Sequence, residues 1–173
     1  VTPPPPAALP GLVLRPTEAA DEGFLQALYA STRADLAALP LPDAAKAALL
    51  AQQYRSQTAH YRARFAAADF SLVLLDGAPV GRLIVARGRH ELHLIDISLL
   101  PALQGRGIGT QLLAGLIAES DASARPIAAH VACSNPARAW YARLGFRSLA
   151  DDGVYLRLHR PCADAAPAME AQA

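Results

Sequence analysis

Cysteine is scarce in this sequence: the chain has only Cys133 and Cys162, in unrelated contexts. A disulfide framework is therefore not expected. Cys and His do not cluster at metal-ligand spacing either, so no metal is expected. Charge is balanced, with 16 Lys and Arg against 15 Asp and Glu and a net charge of +1. That excludes a protein driven onto nucleic acid by its overall field. No apolar run approaches the length of a membrane span. The proline-rich start, Pro3-Pro4-Pro5-Pro6, lacks the basic-then-apolar order of a signal peptide. A soluble cytoplasmic protein, with no nucleic acid or membrane as partner, is the expectation.

What remains is an apolar, alanine-rich chain. Hydrophobic residues make up 53% of its 173 positions, enough for one domain with a proper core. Residues 1–10 and 161–173 read as flexible tails around a single domain at 11–160. Leu12-Val13-Leu14 reads as a strand stopped by Arg15-Pro16, with Thr17 placed to cap a helix carrying Phe24, Leu25, Leu28 and Tyr29. After Pro40 and Pro42, Asp43 opens a long helix running to about Phe65. Three strands follow, 71–75, 80–86 and 91–100, turned by Asp76-Gly77 and by Gly88. Further on, Ile127–Cys133 is a strand, Asn135-Pro136 starts a helix, Gly145 ends it, and two strands meet at Asp151-Asp152-Gly153.

Two stretches carry the chemistry. In the third meander strand the apolar phase slips by one residue between Leu94 and Ile95. Side chains alternate with a strict period of two, so the slip predicts a β-bulge that puts Glu91, His93, Asp96 and Ser98 on one face. The alternative is a strand buried on both sides, in which Asp96 needs a partner. Directly after it come Leu99, Leu100 and then Gln104-Gly105-Arg106-Gly107-Ile108-Gly109-Thr110. Ile108, Leu112, Leu113, Leu116 and Ile117 behind the glycines recur at helical spacing. Strand, glycine turn and helix make a phosphate site, because the first amides of a helix lack internal acceptors and glycine lets a ligand approach closely. The spacing fits neither the dinucleotide fingerprint nor the nucleoside triphosphate loop.

Taken together, these segments resemble the GNAT superfamily of acyl-coenzyme A dependent N-acyltransferases. Gln104 to Gly109 is similar to its pyrophosphate loop, Arg/Gln-x-x-Gly-x-Gly/Ala. Asn135-Pro136-Ala137-Arg138-Ala139-Trp140-Tyr141-Ala142-Arg143-Leu144-Gly145-Phe146 is similar to its later motif of an Asn, a short Tyr-bearing helix and a closing Gly-Phe. The likeness spans about Leu12 to His159. It implies a mixed α/β fold: a mostly antiparallel seven-stranded sheet flanked by helices and split between its fourth and fifth strands. It further implies acetyl-CoA as co-substrate. The amides of Gly105, Gly107, Gly109 and their neighbours in the loop, Gln104, Arg106 and Ile108, would hold the pyrophosphate, with a hydroxyl added by Thr110. Leu99, Leu100 and nearby backbone would pair with the pantetheine arm, and Asn135 would approach the cofactor.

Acyl transfer to an amine needs a base, an oxyanion donor and an acid for the leaving thiolate. The resemblance gives the acid role to Tyr141. His93, eleven residues before Gln104, is the first choice for the base, with Asp96 its rival and Glu91 further out. An amide near Leu99 or Leu100 is the expected oxyanion donor. His130 and His159 read as structural or exposed, and Cys133 as a buried small apolar residue. The competing reading is a non-catalytic acyl-CoA binding module, which a Phe in place of Tyr141 would have favoured. The acceptor is an amine of a small molecule or peptide, and its recognition is expected within 17–66 and 150–153. Relatives commonly dimerise, which leaves a homodimer open.

Overall fold

The computed structural model describes residues 9–163; most of the two expected tails lies outside the described residues. The strands are β1 (Leu12–Pro16), β2 (Ala68–Leu75), β3 (Ala78–Arg87), β4 (Leu92–Leu99), β5 (Ile127–Ala132), β6 (Arg147–Asp151) and β7 (Tyr155–Arg160). The α-helices are α1 (Glu22–Ser31), α2 (Ala34–Ala37), α3 (Asp43–Arg64), α4 (Ile108–Ala122) and α5 (Arg138–Arg143). Seven strands hydrogen-bond in the order β1-β2-β3-β4-β5-β7-β6. All the described pairings are antiparallel except β4 with β5, which is parallel. That parallel pairing covers only Leu92, His93 and Leu94, and the split between the fourth and fifth strands begins there.

Two compact units divide the chain: one runs to Ala86 and resumes at Ile95–Leu112, the other takes Arg87–Leu94 and everything from Leu113. In the first unit, Leu25 and Tyr29 of α1, Tyr54 of α3 and Leu72 of β2 form a buried cluster, with Phe24, Leu50 and Leu74 packed on it. The Asp76-Gly77 turn has both residues at positive φ (51° and 81°). That two-residue geometry matches strand twist, and Asp-Gly is among the pairs that tolerate it. β4 comes so close to β3 that a methyl on Gly81 would strike the Ser98 carbonyl oxygen and lie 2.6 Å from Leu99 Cδ2. In the second unit, Arg160 grips Asp121 (3.0 Å), which holds that carboxyl below its usual range. Arg87 and Arg125 converge on Glu119.

Local expectations needed revision in four places. β1 continues through Arg15 and Pro16, because these residues still pair with Leu72 and Ser71 of β2; the Arg15 side chain makes a two-pronged bond to Asp21 (2.7 Å each). Thr17 does not cap: Glu18 occupies that position, before a short 3-10 turn at Ala19–Asp21, and the Thr17 amide bonds Phe70 O instead. Helix α5 starts at Arg138, since Asn135 and Pro136 form a turn ahead of it. Cys133 is half-buried rather than buried, and its thiol donates to Asp151 Oδ1 (3.3 Å). Burial first, and then that carboxylate, push the thiol pKa up.

Candidate active site

The glycine turn is built as an open cradle. Gly105 and Gly107 have φ of 73° and 85°, and nothing lies within 4 Å of where a Cβ would sit on either. Left-handed backbone favours glycine, and here the missing side chains clear the outer surface of the loop. Ile108 is buried and anchors the loop, while Gln104, Gly105, Arg106 and Gly107 are exposed. The first helical bond of α4 runs from Gln111 N to Gly107 O (3.0 Å). The amides of Ile108 and Gly109 therefore precede any helical acceptor and carry the positive end of a fifteen-residue helix. This arrangement fits a pyrophosphate.

The strand entering the loop is partly committed already. The Leu100 amide donates to Val80 O on β3 (2.9 Å). Successive residues of a strand direct their amides to opposite sides, so those of Ile97 and Leu99 face away from β3. Of the two expected oxyanion donors, Leu100 is thus spent within the sheet and Leu99 is left. The Leu99 carbonyl accepts from Gln104 Nε2 (3.0 Å), so the loop's own glutamine is tied back to the strand end.

Asp96 has the partner that a buried strand required. Its carboxylate is ion-paired with Arg82 Nη2, their side chains being 15% and 7% exposed, and it accepts from Ser98 Oγ (2.9 Å). Arg82 also donates to Gln57 on α3 (3.1 Å). Such a carboxylate is an anchored anion, already committed to a guanidinium and a hydroxyl. Its bond to Ser98 places those two side chains together, as residues two apart on a strand must be with or without a bulge.

His93 lies in the second unit, on the short stretch where β4 and β5 still pair. Its Nε2 is 3.2 Å from Nδ1 of His130 on β5, with the rings stacked at 5.2 Å and 23°. Glu91 reaches Arg157 at 3.8 Å, on the exposed side of the same unit. Tyr141 is buried on α5, tilted against Trp140 (4.8 Å) and edge-on to Phe146 (5.4 Å). Asn135 accepts from the Ala137 amide (2.9 Å) and so shapes the turn before that helix.

The Acetyltransferase (GNAT) family profile matches residues 19–146, most of the described chain. The chain belongs to the GNAT acetyltransferase family. Solved structures agree on the fold. PaiA N-acetyltransferase from Thermoplasma acidophilum, in complex with coenzyme A, superposes with a TM-score of 0.64 at 13% identity, over 87% of this chain and 98% of that one. An acetyltransferase from Thermus thermophilus gives 0.65 at 24% identity, over 88% and 98%. The ribosomal-protein-S18-alanine N-acetyltransferase from Escherichia coli gives 0.59 at 21%, over 90% and 97%.

In this GNAT chain the first unit also holds a cavity of about 240 Å³. Thr17 just after β1, Glu22 at the start of α1, Tyr54, Thr58 and Arg62 on α3, and Phe70 and Arg82 on the sheet line it. Tyr54 Oη donates to Glu22 Oε2 (3.1 Å), and burial, then Glu22, raise the phenol's pKa. Arg62 rides over the Phe70 ring at 4.7 Å. Most of this lining falls within 17–66, one of the two stretches expected to recognise the acceptor; Phe70 and Arg82 lie outside both. Arg82 was not singled out by the sequence; a lone charged residue inside an otherwise apolar strand is the available signal for a buried partner. His130 is exposed, within the expectation of a structural or exposed residue.

Proposed function

We propose that this GNAT chain transfers an acetyl group from acetyl-CoA directly to a primary amine. The observation that carries the reading is the open glycine cradle at the head of α4, with Gly105 and Gly107 clear of all neighbours. Pyrophosphate oxygens are its natural occupants. Bound acetyl-CoA supplies an activated acyl carbon; the chain's own residues do the rest. The cradle amides and Arg106 hold the diphosphate. The Leu99 amide, facing away from β3, donates to the oxyanion. His93 takes the amine's proton, directly or through water, and Tyr141 returns a proton to the departing thiolate. Asp96, clamped by Arg82, braces the strand. The cavity above Arg82 receives the body of the acceptor, a small molecule or a peptide end.

The test is thiol release from acetyl-CoA across a panel of amines, comparing the wild type with Tyr141→Phe and His93→Ala. Each variant is expected to lose about a hundredfold in kcat while still binding acetyl-CoA in calorimetry. Tight binding with no turnover of any amine would replace this reading with the non-catalytic binding module. Absence of acetyl-CoA binding would overturn both.

A further inference from the structure

The geometry points to His130 as a positioning residue that sets the working tautomer of His93. This rests on His93 being the base. The two imidazoles meet nitrogen to nitrogen, Nε2 of His93 with Nδ1 of His130, at 3.2 Å. A neutral imidazole has one N–H and one lone pair, so one proton lies between the rings and is donated by one of them. When His93 is the donor, its Nε2 carries the proton and its Nδ1 keeps the lone pair. That is the form a base needs. His130 then acts as acceptor through Nδ1 and carries its own proton on Nε2.

The proton balance follows. The ammonium of the acceptor gives one proton to His93 Nδ1, leaving a neutral amine and an imidazolium. The Nε2–H of that imidazolium points at the His130 lone pair, a charge-assisted bond that favours the charged form. The Nδ1 proton passes to water after turnover, and His130 itself never changes its proton count. Exposure of His130 keeps the pair near solvent for that release.

The charged surroundings are mixed. Glu91 lies two residues before His93 on β4. Arg157 stands opposite His130 on β7. Asp152, in the β6–β7 turn, has its pKa lowered chiefly by bonds from the Tyr155 and Val154 amides and to a lesser degree by His130. These carboxylates and this cation act at longer range than the direct bond from His93 Nε2 to His130 Nδ1.

Two measurements test this. Imidazole titration by NMR in the ligand-free protein compares the wild type with His130→Ala and His130→Gln, and His93→Ala assigns the His93 signal. The expected result is that His93 titrates about half a unit to one unit lower in His130→Ala, with recovery in His130→Gln, whose amide oxygen can accept. In parallel, the acidic limb of the kcat/KM profile moves to lower pH by the same amount, and kcat falls about tenfold. Loss through general loosening would lower activity without moving either midpoint. An unchanged His93 titration and limb in His130→Ala overturns the assignment while leaving His93 as base. A His93→Ala variant with full kcat overturns the base itself, and this inference with it.

Discussion

Replacing Asp96 with Asn separates an anchor from a base. In the wild type, Arg82 and Asp96 are nearly buried together, with side-chain exposures of 7% and 15%. Removing the carboxylate leaves a guanidinium that cannot return to water, with Gln57 as its remaining described acceptor. Breaking one side of such a pair costs about 3–5 kcal/mol, and the Gln57 bond and the new amide place this case near about 3. That is about a hundredfold or more in the folding equilibrium. With a urea slope of about 1.5–2 kcal/mol/M for a chain of this size, the midpoint falls by about 1.5–2 M. The pair itself is a different quantity. In the double variant Arg82→Met with Asp96→Asn no charge is stranded, so most of the loss is recovered. The assay is urea unfolding of the four proteins, with turnover measured far below each midpoint. The reasoning is refuted if Asp96→Asn unfolds with the wild type but loses turnover, because Asp96 would then be the base. It is equally refuted if the two single losses simply add.

Three shorter predictions follow. Gly107→Ala forces a side chain into φ of 85°, at a cost of about 1–2 kcal/mol, and its methyl intrudes on the cradle; calorimetry should show acetyl-CoA affinity falling about tenfold or more. Gly81→Ala gains about 0.4–1 kcal/mol from a stiffer unfolded chain, but the clash with Ser98 and Leu99 costs about 1–3. A lower urea midpoint and a raised acetyl-CoA KM are expected. Asp21 has its pKa lowered to about 2, chiefly by Arg15 and then by the Glu18 amide. Its folded value lies below its unfolded value of about 3.9. Its contribution is therefore complete above about pH 4 and fades as pH falls through about 2. An acid titration of Asp21→Asn should show a shallower stability decline over that window.

Periodic and turn-bounded features were readable from residues alone. Helix α3 was legible because no Pro or Gly interrupts Asp43 to Arg64, and the hairpin at Asp76 because Asp-Gly tolerates two left-handed residues in a row. Glycine spacing ahead of Ile108 located the cradle. The errors fall where a distant partner decides. Arg15 and Pro16 extend β1 because Leu72 and Ser71 of β2 pair with them, and nothing in the local sequence announces those partners. Cys133 looked like a small core residue, but the β6–β7 turn brings Asp151 to its thiol. Asp96 reads from sequence as a rival to His93 for the base or as a buried residue in need of a partner, and that partner, Arg82 on β3, is not announced by spacing. The contact of His130 with His93 was not legible because the two lie 37 positions apart.

The bond from Gln104 to the Leu99 carbonyl has a consequence for solubility. A strand end with unpaired carbonyls and amides is a template for another chain, and proteins suffer for leaving one bare. Beyond Leu94 no described pairing joins β4 to β5, and the glutamine covers part of that edge. A ligand that pairs there exchanges one hydrogen bond for another instead of creating one. Its net enthalpy from that contact is then small, and its affinity must come from the cradle. Gln104→Ala has no such bond to give up, so it would bind acetyl-CoA at least as well in calorimetry, while self-associating more readily in light scattering.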